Sequence, residues 1–170
     1  MRPELTLIEL LTDQAAVLDG LTPAEYARRP ESHPCTVGQQ VRHCLDHVTA
    51  VLEGAVTGRI DYETRERGSV VETDPVAAIG AMKRLAGRIA ALRHADLDRP
   101  VRVVERVSPV REPVESGSTL GRELAFVTSH TTHHNALIAV MARSIGQTVP
   151  ERFGYGASTI VFLDRPACAR

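Results

Sequence analysis

The sequence predicts an all-α protein, a four-helix bundle with a small hairpin excursion before its last long helix. Three observations predict it: four segments carry apolar residues at three- and four-residue intervals, capping residues and glycines punctuate their ends, and one short stretch alternates in the manner of a strand. The 170 residues suit one domain, 1–170, in which roughly 148–170 forms an irregular C-terminal tail packed on the rest.

In the first segment Leu5, Ile8, Leu11, Ala15 and Leu18 recur at helical spacing and Gly20 follows, so a helix is expected over 3–19. The stretch 28–34 holds two prolines. Thr36, with Gln39 three residues later, then forms a capping box that opens a second helix reaching about Val56. Its apolar stripe is Val37, Val41, Cys44/Leu45, Val48, Leu52 and Ala55. Residues 59–73 interleave acids and arginines without periodicity and are expected as a solvated loop or a helix face in water. Asp74-Pro75 supplies a cap and a first-turn proline for a third helix carrying Ile79, Met82, Leu85/Ala86, Ile89 and Leu92. From Arg99 to Glu115, Val101-Arg-Val-Val and Val107-Ser-Pro-Val110 alternate, while Pro100, Pro109 and Pro113 limit strand length, which fits a hairpin or an irregular excursion. Ser118 or Thr119 opens the longest helix, with the stripe Leu120, Leu124, Val127, Thr131, His134, Ile138, Met141 and Ile145.

Composition narrows the function. With 20 Lys+Arg against 21 Asp+Glu the formal charge is -1, which gives no long-range attraction to nucleic acid or to an anionic membrane. A chain that is 43% hydrophobic and 24% charged is globular rather than disordered. The absence of an eighteen-residue apolar run and of a basic leader at its start gives the expectation of a cytoplasmic protein. Cys35, Cys44 and Cys168 form no CxxC pair and are expected as free thiols.

Five of the seven histidines fall into two short clusters, His43/His47 and His130/His133/His134. Residues four apart lie one above the other on a helix, so His130 and His134 project from one face, and His43 and His47 repeat the arrangement on the second helix. Two facing helices would bring four imidazoles to one point, as metal-binding bundles do. His134 falls on the apolar stripe and His130 beside it. His133 lies further round, at the rim or in solvent. Helical-wheel arithmetic favours His47 over His43 as the inward residue.

The runs Thr36-Val-Gly-Gln-Gln-Val-Arg-His43-Cys-Leu-Asp-His47 and Ser118-Thr-Leu-Gly-Arg-Glu-Leu-Ala-Phe-Val-Thr-Ser-His130-Thr-Thr-His-His134 resemble the DinB-like family, as do Asp61-Tyr62 with Arg65 and Arg67, and Phe153-Gly154 with Ser158-Thr159. The resemblance spans most of residues 5–160. It implies a four-helix bundle with a three-histidine divalent metal site, His43, His130 and His134 by position; the wheel reading keeps His47 as a substitute or additional ligand. It also implies a metal-dependent enzyme, hydrolase-like or a transferase or isomerase using a small thiol such as mycothiol, bacillithiol or glutathione, and by analogy a homodimer.

Three neutral imidazoles leave a coordination position open for water, a thiolate or a substrate oxygen. Zinc is the first expectation, and imidazole also suits nickel and iron. His47, Arg122, Glu123 and His133 are the candidate acid–base or anion-binding helpers for a small-molecule substrate. Arg65 and Arg67 are candidates for a lid over an anionic substrate. Cys35, just before a helix start, is mildly activated at most. Ser118, Ser129 and Ser158 lack a GxSxG elbow, so serine-triad chemistry has no support. Two other readings stand beside the enzyme: a non-catalytic bundle that binds a metal or small molecule, and a helical interaction module whose histidines are ordinary core residues.

Overall fold

A computed structural model describes residues 2–31 and 33–165. The protein is mostly helical, with a small three-stranded sheet. The six helices are α1 (Pro3–Asp19), α2 (Pro23–Tyr26), α3 (Val37–Thr57), α4 (Pro75–Ala90), α5 (Leu120–Ser144) and α6 (Ala157–Leu163), and the strands are β1 (Arg59–Asp61), β2 (Pro100–Glu105) and β3 (Val114–Thr119). The four long helices, α1, α3, α4 and α5, pack in a closed circuit in which α1 and α3 each touch both α4 and α5.

Local chemistry fixes the helix starts. The Thr36 hydroxyl accepts from the Gln39 N–H at 3.1 Å while the Gln39 side chain accepts from the Thr36 N–H at 3.0 Å, the capping box expected from the sequence. Asp74 caps α4 through the Val76 N–H at 2.8 Å, with Pro75 in the first turn. Thr119 caps α5 through Arg122 N–H at 3.2 Å. At the far end of α3, Gly58 takes a φ of 79°, a left-handed turn that favours glycine and sends the chain directly into β1. Leu7, Leu11 and Leu18 of α1, Val41 and Val48 of α3, Met82 and Ile89 of α4, and Leu124, Ile138 and Met141 of α5 are buried together.

Four expectations need correction. The protein is not all-α: β1 pairs in parallel with β2, Ile60 opposite Val103, and β2 pairs antiparallel with β3. The stretch 59–73 is therefore not simply a solvated segment, because Ile60 and Tyr62 are buried at its start. The hairpin expected over 99–115 exists but extends further, to Thr119, and the second alternating run, Val107 to Val110, lies in its exposed connection. The C-terminal stretch is not wholly irregular, since it contains α6; its last five residues, including Cys168, lie outside the described residues.

Candidate metal centre

Helices α3 and α5 pack face to face, and this contact brings the two histidine pairs together. One ligating nitrogen from each of His43, His47 and His130 lies within 4.8 Å of the others. His43 Nε2 and His130 Nε2 are 3.1 Å apart. The His134 ring joins the cluster, its centroid 4.4 Å from that of His130 and 4.7 Å from that of His43. His47 and His134 are buried, while His43 and His130 are partly exposed. The wheel preference for His47 as the inward member of its pair agrees with this burial.

Two of the rings are oriented by acceptors. His47 Nδ1 is 3.0 Å from the His43 carbonyl oxygen, and His134 Nδ1 is 2.6 Å from Gln40 Oε1. An oxygen of either kind only accepts, so each Nδ1 carries the proton and each Nε2 keeps its lone pair. Burial also keeps the imidazoles uncharged. It pulls His43 down to about 2, with the other three histidines and Arg65 adding to the effect. Burial likewise lowers His130 to about 3 and His134 to about 4, each with help from neighbouring histidines, and it lowers His47 as well. The neutral ring is the form that ligates a metal.

This donor set fits a divalent ion. Two imidazole nitrogens bound at 2.0–2.1 Å to a tetrahedral centre stand roughly 3.3 Å from each other, close to the spacing of His43 Nε2 and His130 Nε2. Nitrogen donors without a carboxylate or thiolate in the set suit zinc, nickel or iron better than calcium or magnesium.

Behind the cluster the end of β1 supplies an aromatic and α5 a carboxylate. The Tyr62 ring stacks on His47 with centroids 5.0 Å apart and an interplanar angle of 19°. Its hydroxyl donates to Glu123 Oε2 at 2.9 Å, and Ser118 donates to Glu123 Oε1 at 2.6 Å. Burial, together with the Glu123 charge, pushes the Tyr62 hydroxyl well above the usual phenol range, so it stays protonated. Of the candidate helpers, His47 is in the cluster, while Glu123 is buried and connected to it through Tyr62. Arg122 is exposed, with its guanidinium 5.9 Å from the Phe126 ring centroid, and His133 is exposed with its ring 5.1 Å from that of His134. Gln40 and Tyr62 are the contributors that spacing arguments on histidine did not reach.

A cleft of about 480 Å³ opens beside the cluster, walled by His43, His134, Gln39, Gln40 and the partly exposed Cys35. Arg42 in this wall is held by Asp46 and Glu72, each at 2.8 Å. Cys44 is fully buried, and burial pushes its thiol up to about 12, which leaves it inert as a nucleophile. Both Cys35 and Cys44 are free thiols. Among the described residues no helix is long and apolar enough to cross a membrane.

Comparison with known proteins agrees with this architecture. The model of the DinB superfamily matches residues 7–138. The crystal structure of a DinB-like protein from Bacillus subtilis superposes with a TM-score of 0.66 over 90% of this chain and 99% of that one. At 15% identity that likeness concerns the fold alone. FK506-binding protein 5 of Rhizopus delemar is 28% identical over 107 residues, which is 62% of this chain and 28% of the length of that protein.

Proposed function

The chain belongs to the DinB superfamily, and from that footing we propose that it is a metal-dependent enzyme whose four long helices form the bundle of the family around a histidine site. The observation that carries the reading is the meeting of imidazoles from α3 and α5, with His43 Nε2 and His130 Nε2 3.1 Å apart. His43 and His130 belong both to the set implied by resemblance and to the set that lies within 4.8 Å. The third ligand is His47 or His134, or both.

A divalent ion in such a site supplies Lewis-acid chemistry, lowering the pKa of a water or thiol beside it. The chain's own residues supply the rest. Gln40 and the His43 carbonyl keep the protons of His134 and His47 on Nδ1. Tyr62 packs against one face of His47 and limits water there. The cleft gives a small molecule access on the side of His43 and His134. Hydrolysis and thiol transfer both fit this arrangement.

Elemental analysis of the purified chain tests the site, with wild type compared with a His43→Ala/His130→Ala variant. About one equivalent of zinc, nickel or iron in wild type and its loss in a variant that keeps a wild-type circular dichroism spectrum are expected. Wild type that takes up no metal from a zinc-buffered solution would overturn the reading. Metal-dependent turnover across a panel of esters and thiol adducts then tests the enzyme, and a metal-loaded protein inert across the panel counts for a binding or structural role.

A further inference from the structure

We propose that the cleft beside the histidine cluster binds the oxyanion of a small molecule, a carboxylate or phosphate, through Arg29 and Arg67. The proposal deepens the reading above and rests on it for calling this molecule the substrate; the binding itself needs only the cleft.

The two guanidinium groups come from separate places in the chain. Arg29 follows α2, and Arg67 sits in the loop that leaves β1. Arg29 and Arg67 line the same cleft as His43 and His134. Arg65, in the same loop as Arg67, lines a neighbouring pocket with Glu63 and Arg106 instead.

Neither Arg29 nor Arg67 has a carboxylate within 4.0 Å among the described residues. Several other surface arginines do. Arg59, Arg93, Arg102, Arg106 and Arg152 each lie within 4.0 Å of one. Arg28, Arg84, Arg88, Arg111 and Arg143 lack one too, so the weight lies in the cleft wall, which sets Arg29, Arg42 and Arg67 against a single acid. Glu72, the one acid in the cleft wall, is occupied by Arg42 and by the Gly68 N–H at 3.1 Å. Two guanidinium groups lining one cleft with no acid to pair them favour an anion there. Each offers the planar fork that pairs with a carboxylate or phosphate.

The loop is also anchored at both ends. Tyr62 at its start stacks on His47, and Gly68 near its end donates to Glu72, so Arg67 is carried at the cleft rather than on a free tether. A cavity of about 480 Å³ is within the usual range for a small-molecule site.

Calorimetric titration of the full chain tests this, using succinate, phenyl phosphate and the neutral succinamide as probes, on metal-stripped and zinc-loaded protein. The expected result on stripped protein is binding of succinate or phenyl phosphate that weakens as salt is raised, with no binding of succinamide. Which anion binds more tightly separates the two sources of oxyanion. Arg29→Gln and Arg67→Gln variants, which alter exposed side chains and are checked by melting, should each lose about tenfold or more in affinity. Absence of binding, equal binding of succinamide, or affinity unchanged in both variants would overturn the proposal. Zinc retained without arginine-dependent binding defeats this inference alone. Arginine-dependent binding in a chain that takes up no zinc defeats the metal reading and leaves this one standing.

Discussion

Gln40 presents an acceptor at 2.6 Å to the Nδ1 of a buried histidine, and removing it separates two roles that the cluster permits. In Gln40→Leu, His134 loses the partner that fixes its proton and ring plane. If His134 ligates, metal affinity measured by competition with a chelator should fall about 10–100-fold, as for other groups that orient a ligating histidine. If His47 is the third ligand instead, affinity stays within a few-fold and only stability drops, by about 1–3 kcal/mol for the unsatisfied ring nitrogen. Tyr62→Phe asks the matching question on the other side. It keeps the stack on His47 but leaves Glu123 Oε2 without its donor, so a loss of about 1–3 kcal/mol in urea melts is expected with metal content unchanged. A variant that keeps full stability would show that the bond contributes little. The four histidines of the cluster are legible in the sequence because helical spacing alone puts each pair on one face. Gln40 is not, since a glutamine one turn before His43 and Cys44 has no signature until α5 arrives opposite it. Tyr62 is legible only by resemblance, because its position depends on the pairing of β1 with a strand some forty residues later.

Among elements, α3 and α5 are the clearest in the sequence, and α1 shows where periodicity misleads. The apolar set Leu5, Ile8, Leu11, Ala15 and Leu18 defines a helix of the right length, yet the buried face runs through Leu7, Leu11, Gln14 and Leu18, and Leu5 is 44% exposed. The reason is a buried polar pair: Gln14 Nε2 donates to Asn135 Oδ1 at 2.9 Å, and an apolar count cannot assign glutamine to the inside. Strand β1 fails for a different reason. Three residues with one inward side chain, Ile60, have no measurable period, and their conformation follows from the Gly58 turn and the β2 edge. The contact between α3 and the segment before α4 is equally invisible in sequence, and it depends on Gly38. A Cβ there would meet the Glu72 carbonyl, while Tyr26 donates to the Val71 carbonyl at 2.8 Å and ties the same segment down. Gly38→Ala should therefore displace residues 70–73, break the Arg42–Glu72 pair and cost about 1–3 kcal/mol, read as a lower denaturation midpoint. An unchanged midpoint would mean that the segment shifts freely and does not fix the cleft wall.

At the scale of the whole molecule, burying several neutral imidazoles in one place makes folding depend on pH. Histidine in an unfolded chain titrates near 6.5, whereas burial holds His43, His47, His130 and His134 below that in the folded protein. Below pH 6.5 the unfolded state therefore binds more protons than the folded one, and stability is lost as pH falls, with a slope approaching one proton for each imidazole that stays neutral. The loss begins near the unfolded value and continues toward the folded ones, so it is already under way between pH 6.5 and 5, above the range in which ordinary carboxylates titrate. Metal-stripped protein should show a melting temperature that is flat, as far as these groups contribute, above about pH 7.5 and that declines across this window. Zinc changes both features. Because it binds only neutral rings brought together by the fold, it should raise the melting temperature at pH 7.5 in proportion to the logarithm of its free concentration, and it should steepen the acid limb as protons compete for the ligands. Replacing His43 and His130 by alanine should remove the zinc effect and flatten the acid limb together, because one set of side chains produces both. Thermal melts from pH 5 to 8, with and without buffered zinc, would refute this coupling if the zinc response vanished in the variant while the acid limb kept its wild-type slope.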